Sequence, residues 1–300
     1  MRGTVRHFVR TAPGERRVDD RTTRPTSGRS YAMTPSRTFR TFRFAAKQIV
    51  AAGQRWPRFT LRAADLFAPT SRGRLGIPSA DELRRLLPHL SPQLARAVSR
   101  SLLRTEVRQD VLIHWWERNG RPGLRELVRN ASVPALPKPP LIVATFHLGP
   151  LTALGAILEA RIGSVLAPIE RRSLDSDELR ERRRAKTFYE AARFVRAGGS
   201  VVIPLDPYVA SSIRVPFFGG TASFARGAFA LSRATGAPIV PIVAGWRGTD
   251  VELVAGEPFV AAGGPDEDSA LAEATARWLE DYLRANPEAI SLRILDLMRR

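Results

Sequence analysis

Hydrophobic spacing changes character once along the chain. Between residues 79 and 130 apolar positions recur at helical intervals. Leu83, Leu86 and Leu87 follow Ser79, a residue suited to cap a helix with Asp81 and Glu82 in its first turn. Pro88 ends that helix. A longer one opens at Ser91 and Pro92 and runs through Leu94, Val98, Leu102, Val107, Val111 and Trp115 to Asn119 and Gly120. Prolines at 134, 137, 139 and 140 then stiffen the connection into a region of different pattern. There, short β-rich runs at 141–146, 164–169, 200–205, 213–217, 238–244 and 251–255 alternate with helical stretches at 151–161, 175–197, 224–235, 267–285 and 287–298. This alternation predicts an α/β fold, a mixed central sheet flanked by helices, with the earlier region as an N-terminal helical extension.

The first 40 residues mix Arg, Thr, Ser, Pro and Gly without a sustained apolar period, which predicts a disordered basic tail. Met33 offers an alternative start. The chain therefore reads as a tail (1–40), a helical region (41–135) and an α/β domain (136–300). Residues 39–70 set Phe39, Phe42, Phe44, Trp56, Phe59, Leu66 and Phe67 among arginines. That composition suits a helix in a membrane interface and equally a helix facing the core. One uncharged run, residues 139–158, has the length of a bilayer span. Pro140, His147, Gly149, Pro150 and Gly155 break it into strand, loop and helix, so no transmembrane helix is expected.

Charge adds an anionic partner to this picture. The chain of 300 residues carries a formal +18, which points to a phospholipid surface, an acidic carrier or nucleic acid. Lysine supplies only Lys47, Lys138 and Lys186, so arginine preference accounts for much of the balance, and residues 1–44 hold eleven arginines against Glu15, Asp19 and Asp20. Charge alone identifies no specific nucleic acid. Cysteine is absent, which excludes a thiolate nucleophile, a disulfide framework and a cysteine metal site. His114, beside Trp115 and Trp116, reads as a packed structural residue.

Sheets of this type gather ligands beyond the carboxyl ends of their strands. His147 follows the first predicted strand directly, and Asp206 and Pro207 follow the third. The segment Thr145-Phe146-His147-Leu148-Gly149 is followed in order by 198–207 (GGSVVIPLDP), 215–219 (VPFFG) and 228–241 (AFALSRATGAPIVP). Together these resemble the lysophospholipid acyltransferase superfamily, particularly its branch of bacterial lipid A biosynthesis acyltransferases and their phosphatidylinositol mannoside relatives. The resemblance spans about residues 40–300. It implies a peripheral protein at the cytoplasmic face of the inner membrane. Its activity would be transfer of a fatty acyl group from an acyl-carrier-protein or coenzyme A thioester to a hydroxyl of a lipid or glycolipid. The thioester is a co-substrate, and no cofactor or metal is implied.

A hydroxyl is a weak nucleophile at neutral pH, and His147 matches the family's histidine base. Backbone N–H groups or an arginine would stabilise the oxyanion. The family pattern places an acid five residues after the histidine, where this chain has Thr152. Threonine can hydrogen-bond an imidazole without balancing its charge. In serine proteases, neutralising the orienting aspartate lowers turnover by about 10⁴. Either another carboxylate substitutes, with Asp206 favoured over Glu170 and Glu159, or the chain is a catalytically weak homologue that serves as an acyl-lipid-binding accessory protein. Asp206 also matches the acidic member of the family's Asp-Gln segment, with Pro207 in place of the glutamine. Arg171, Arg172 and Arg214 are candidate phosphate ligands. Phe218 and Gly219 suggest an aromatic turn beside an acyl channel, with core packing the favoured single explanation. The cluster at 180–184 reads as a solvated or lipid-facing surface.

Overall fold

The computed structural model describes residue 50 and residues 57–69, 76–166, 177–206 and 212–298. Three helices come first: α1 (Pro57–Phe67), α2 (Ala80–Leu86) and α3 (Pro92–Leu127). Ser79 and Glu82 form a capping box, the Ser79 hydroxyl accepting the Glu82 N–H at 3.2 Å and the Glu82 carboxylate accepting the Ser79 N–H at 2.7 Å. Ser91 caps α3 by accepting the Leu94 N–H, with Pro92 in the first turn. As its sequence pattern predicts, the first helical segment of α3 ends at Gly120, and a second short segment follows it to Leu127. That glycine takes φ 64° and bends the chain, and helix resumes through Pro122, a residue tolerated in a first turn.

The remaining elements are β1 (Ile142–Thr145), α4 (Leu151–Ile162), β2 (Val165–Leu166), α5 (Asp177–Arg196), β3 (Ser200–Pro204), β4 (Ser212–Phe217), β5 (Gly220–Ala225), α6 (Gly227–Thr235), β6 (Ile239–Arg247), β7 (Asp250–Ala255), α7 (Pro265–Ala285), a 3₁₀ turn (Pro287–Ala289) and α8 (Leu292–Met298). Five strands form a mixed sheet in the order β2-β3-β1-β6-β7, all parallel except β7. Every residue of β1 is buried, as expected for a central parallel strand covered on both faces. Ile142, Ala144 and Phe146 enter one core, while Leu141 and Val143 enter the other. Helix α3 joins the two cores, with Ala95, Val98 and Leu102 in the first and Leu103, Val107, Val111 and Trp115 in the second.

The C-terminal half departs from the sequence reading in three places. Residues 213–217 do not join the central sheet, because β4 pairs antiparallel with β5 in a separate hairpin. The helix expected from residue 224 begins at Gly227, and Phe224 belongs to β5, where Ala222 and Phe224 point inward between exposed Thr221 and Ser223. Small residues masked that period of two. The final predicted helix splits, since Ser291 caps α8 by accepting the Ile294 N–H at 3.2 Å. Of the strand expected at 164–169, β2 covers Val165–Leu166, and 167–169 lie outside the described residues.

Candidate active site

The register of two parallel strands brings the two central side chains together. Thr145 of β1 is paired with Pro204 of β3, so His147 and Asp206, each two residues further on, emerge at the same level of the sheet. The imidazole Nδ1 lies 2.8 Å from Asp206 Oδ1. Since an ionised carboxylate only accepts, Nδ1 carries the proton in the neutral ring and Nε2 keeps its lone pair. The backbone N–H of His147 also donates to both carboxylate oxygens, at 3.2 and 3.1 Å. Asp206 is completely buried and the His147 side chain is 44% exposed, so one end of the ring is anchored inside and the ring reaches solvent.

The residues beside His147 account for this placement. Phe146 is buried edge-on against Phe224 at 5.3 Å between centroids, and Leu148 is buried in the same core. Alternation then turns His147 the other way. Gly149 has φ 49°, and a Cβ there would lie 2.1 Å from the carbonyl oxygen of Ala244 on β6. Only glycine permits so close a backbone approach. Leu205 fixes the other half of the pair, its N–H donating to Thr145 O and its carbonyl accepting from Ala225 N–H, both at 2.8 Å.

Arg293 of α8 was not singled out from the sequence. Its Nε donates to the Asp206 backbone carbonyl at 2.9 Å, Nη2 donates to the same oxygen, and Nε lies 3.9 Å from Asp206 Oδ2. The sole sequence signal is a charge in the short apolar run Leu292-Arg293-Ile294-Leu295.

Thr152, in the first turn of α4, accepts a hydrogen bond from Gln109 Nε2 of α3 at 2.7 Å. Gln109 also escaped the sequence reading. Leu102 and Gln109 lie four residues before and three after Glu106, which places Glu106 on the α3 face that carries both. Burial, reinforced by Asp110, raises the Glu106 carboxyl from its ordinary 4.5 to about 7. Glu159 is engaged elsewhere, pairing with Arg121 at 3.0 Å and Arg125 at 2.7 Å.

No protein-family model matches the chain, and no curated protein matches it. Among solved structures it is similar to the 1-acyl-sn-glycerophosphate (LPA) acyltransferase PlsC from Thermotoga maritima, at 16% identity and a TM-score of 0.37, over 76% of this chain and 97% of that one. A likeness of that size is too low to carry an activity from one chain to the other.

The other predicted residues are dispersed. Arg214 lies on the exposed side of the hairpin, opposite Ser223. Phe218 and Gly219 form the tip of that hairpin, both with positive φ (50° and 76°). The Phe218 N–H donates to Glu280 Oε1 at 2.5 Å, and its ring lies under Arg284 and against His89. Phe218, partly buried, therefore packs the hairpin against α7. Arg171, Arg172 and Glu170 lie outside the described residues, as do the side chains of residues 180–184. His114 is buried, with Nδ1 2.9 Å from Glu117 Oε2. Among the described residues, no group of three or more His, Cys, Asp and Glu side chains is arranged to hold a metal ion.

Proposed function

We propose that this protein is an acyltransferase that moves a fatty acyl group from an acyl-carrier-protein or coenzyme A thioester to a hydroxyl of a lipid or glycolipid. The observation that carries the reading is the 2.8 Å contact between His147 Nδ1 and the buried Asp206 carboxylate. It gives the imidazole a fixed tautomer and a neighbouring negative charge to balance the imidazolium formed during proton transfer. In the proposed step Nε2 takes the proton of the acceptor hydroxyl as its oxygen adds to the thioester carbonyl. Collapse of the tetrahedral intermediate breaks the C–S bond, and the imidazolium returns the proton to the departing thiolate. An ester and a free thiol result, and the base is regenerated.

The four segments resembling the lipid A biosynthesis branch support an acceptor of the lipid or glycolipid class. An anionic membrane surface as partner, and a peripheral position at the cytoplasmic face of the inner membrane, are supported by the +18 charge and by α1. That helix buries Leu61 and Ala64 while leaving Phe59 and Leu66 exposed at 53% and 75%. Among the described residues no helix is long and apolar enough to cross a membrane. The accessory, lipid-binding alternative rests on the missing carboxylate at Thr152, and the Asp206 contact favours catalysis over it.

The test is incubation of the purified chain with acyl-coenzyme A or acyl-carrier protein and dispersed lipid acceptors, following thiol release and labelled product together. Equal, time-dependent formation of thiol and acylated lipid, absent in His147→Ala, is the expected result. No thiol release from either donor class, or the same release from His147→Ala, contradicts it.

A further inference from the structure

We infer that Arg293 is a positioning residue for the His147–Asp206 pair, holding Asp206 in the backbone placement that fixes the histidine's tautomer. The kinetic consequence rests on the acyl-transfer reading, whereas the tautomer consequence rests on the geometry alone.

Asp206 stands two residues beyond the last residue of β3, where the ladder to β1 no longer specifies the backbone. Leu205 is held from both sides, by Thr145 and Ala225. Asp206 itself is held through its carbonyl, which accepts both Nε and Nη2 of Arg293. Two donors of one planar guanidinium on one oxygen define a direction as well as a distance. The same Nε stands 3.9 Å from Oδ2, while Oδ1 is engaged by His147 Nδ1. The guanidinium thus supplies a counter-charge on the side of the carboxylate away from the imidazole. A fully buried carboxylate needs one, because an unpaired charge removed from water is strongly disfavoured.

The position of Arg293 is set independently of this contact. Ser291 caps α8, and Ile294, Leu295 and Leu297 bury that helix in the core shared with Phe146 and Leu148. Replacing Arg293 therefore leaves the docking surface of α8 in place and removes its hold on Asp206. The ring nitrogen that carries the proton is set by the hydrogen bond the ring makes, so loosening Asp206 releases the tautomer of His147.

Side-chain ¹⁵N NMR at about pH 8, where a free imidazole is neutral, reads this directly. The His147 signals are assigned by their loss in His147→Ala. Wild-type protein should show the Nδ1–H tautomer, Arg293→Met a mixture with Nε2–H, and Arg293→Lys, which keeps a charged donor, a return towards wild type. In the transfer assay Arg293→Met should lower kcat by about 10- to 100-fold with KM changed less than about twofold. A folded Arg293→Met protein that keeps the wild-type tautomer and kcat overturns the inference. If Arg293→Met does not fold, Arg293→Gln is read by the same criteria. If the wild-type chain transfers no acyl group, the functional proposal fails, and the tautomer still decides the role of Arg293.

Discussion

His147 is held by contacts that each leave it little freedom: a buried residue on either side, a carboxylate on Nδ1 and a glycine against β6. Gly149→Ala tests the last. A Cβ must displace either the His147 loop or the Ala244 backbone, and the positive φ adds strain. Loss of about 2 kcal/mol of stability and a larger proportional loss of activity are expected, read by chemical denaturation beside the transfer assay. An alanine variant of wild-type stability would show that the loop moves freely. Glu106 gives a pH-dependent prediction. Its carboxyl binds a proton more tightly folded than unfolded, so its contribution favours the fold at low pH and is lost as pH rises from about 4.5 through about 7. Glu106→Gln should match wild type below pH ~5 and exceed it above pH ~8 by up to about 3 kcal/mol. Parallel stability curves across that range would contradict the cause assigned to the shift.

At the scale of elements, long helices and apolar strands were legible because burial writes a period into the sequence. β1, β3, β6 and β7 lie within a few residues of the apolar runs that predict them. β5 was hidden because Gly220, Ala222 and Ser223 give its alternation little contrast, and Phe224 read as the start of a helix. The site was legible in part. His147 and Asp206 can be named as residues following strands, whereas the register that sets them side by side is a property of the sheet. Arg293 and Gln109 act across 87 and 43 residues of chain, and nothing local marks either. The same holds for Arg108, which ties α1 to α3 and to the β6–β7 turn. Its guanidinium binds Asp65 at 2.7 and 2.6 Å and the Gly248 carbonyl at 2.7 Å, and stacks over Trp246. Arg108→Ala leaves Asp65 unpaired and should cost about 3 kcal/mol, measured by denaturant midpoint. A cost below about 0.5 kcal/mol would mean that α1 is held by its apolar face alone.

For the whole molecule, the two cores meet along α3, and the His147–Asp206 pair sits beyond the carboxyl ends of the central strands. The proposed membrane partner makes its own prediction. Binding to vesicles containing anionic lipid should weaken with salt and fall further in Phe59→Ser/Leu66→Ser, whose substitutions lie on the exposed side of α1. Sedimentation with the vesicles reads both effects, and equal binding to neutral vesicles would contradict the charge-based account. At the candidate site we propose that Asp206 does for His147 what an acid in the place of Thr152 does in the acyltransferases the sequence resembles. Steady-state acyl transfer by Asp206→Asn, beside Thr152→Ala, tests it most directly. A loss in kcat of about 10³- to 10⁴-fold for Asp206→Asn, on the scale seen when a base loses its orienting carboxylate, with Thr152→Ala within about threefold of wild type, is the predicted result; an Asp206→Asn protein that is folded and transfers acyl groups at the wild-type rate would contradict it.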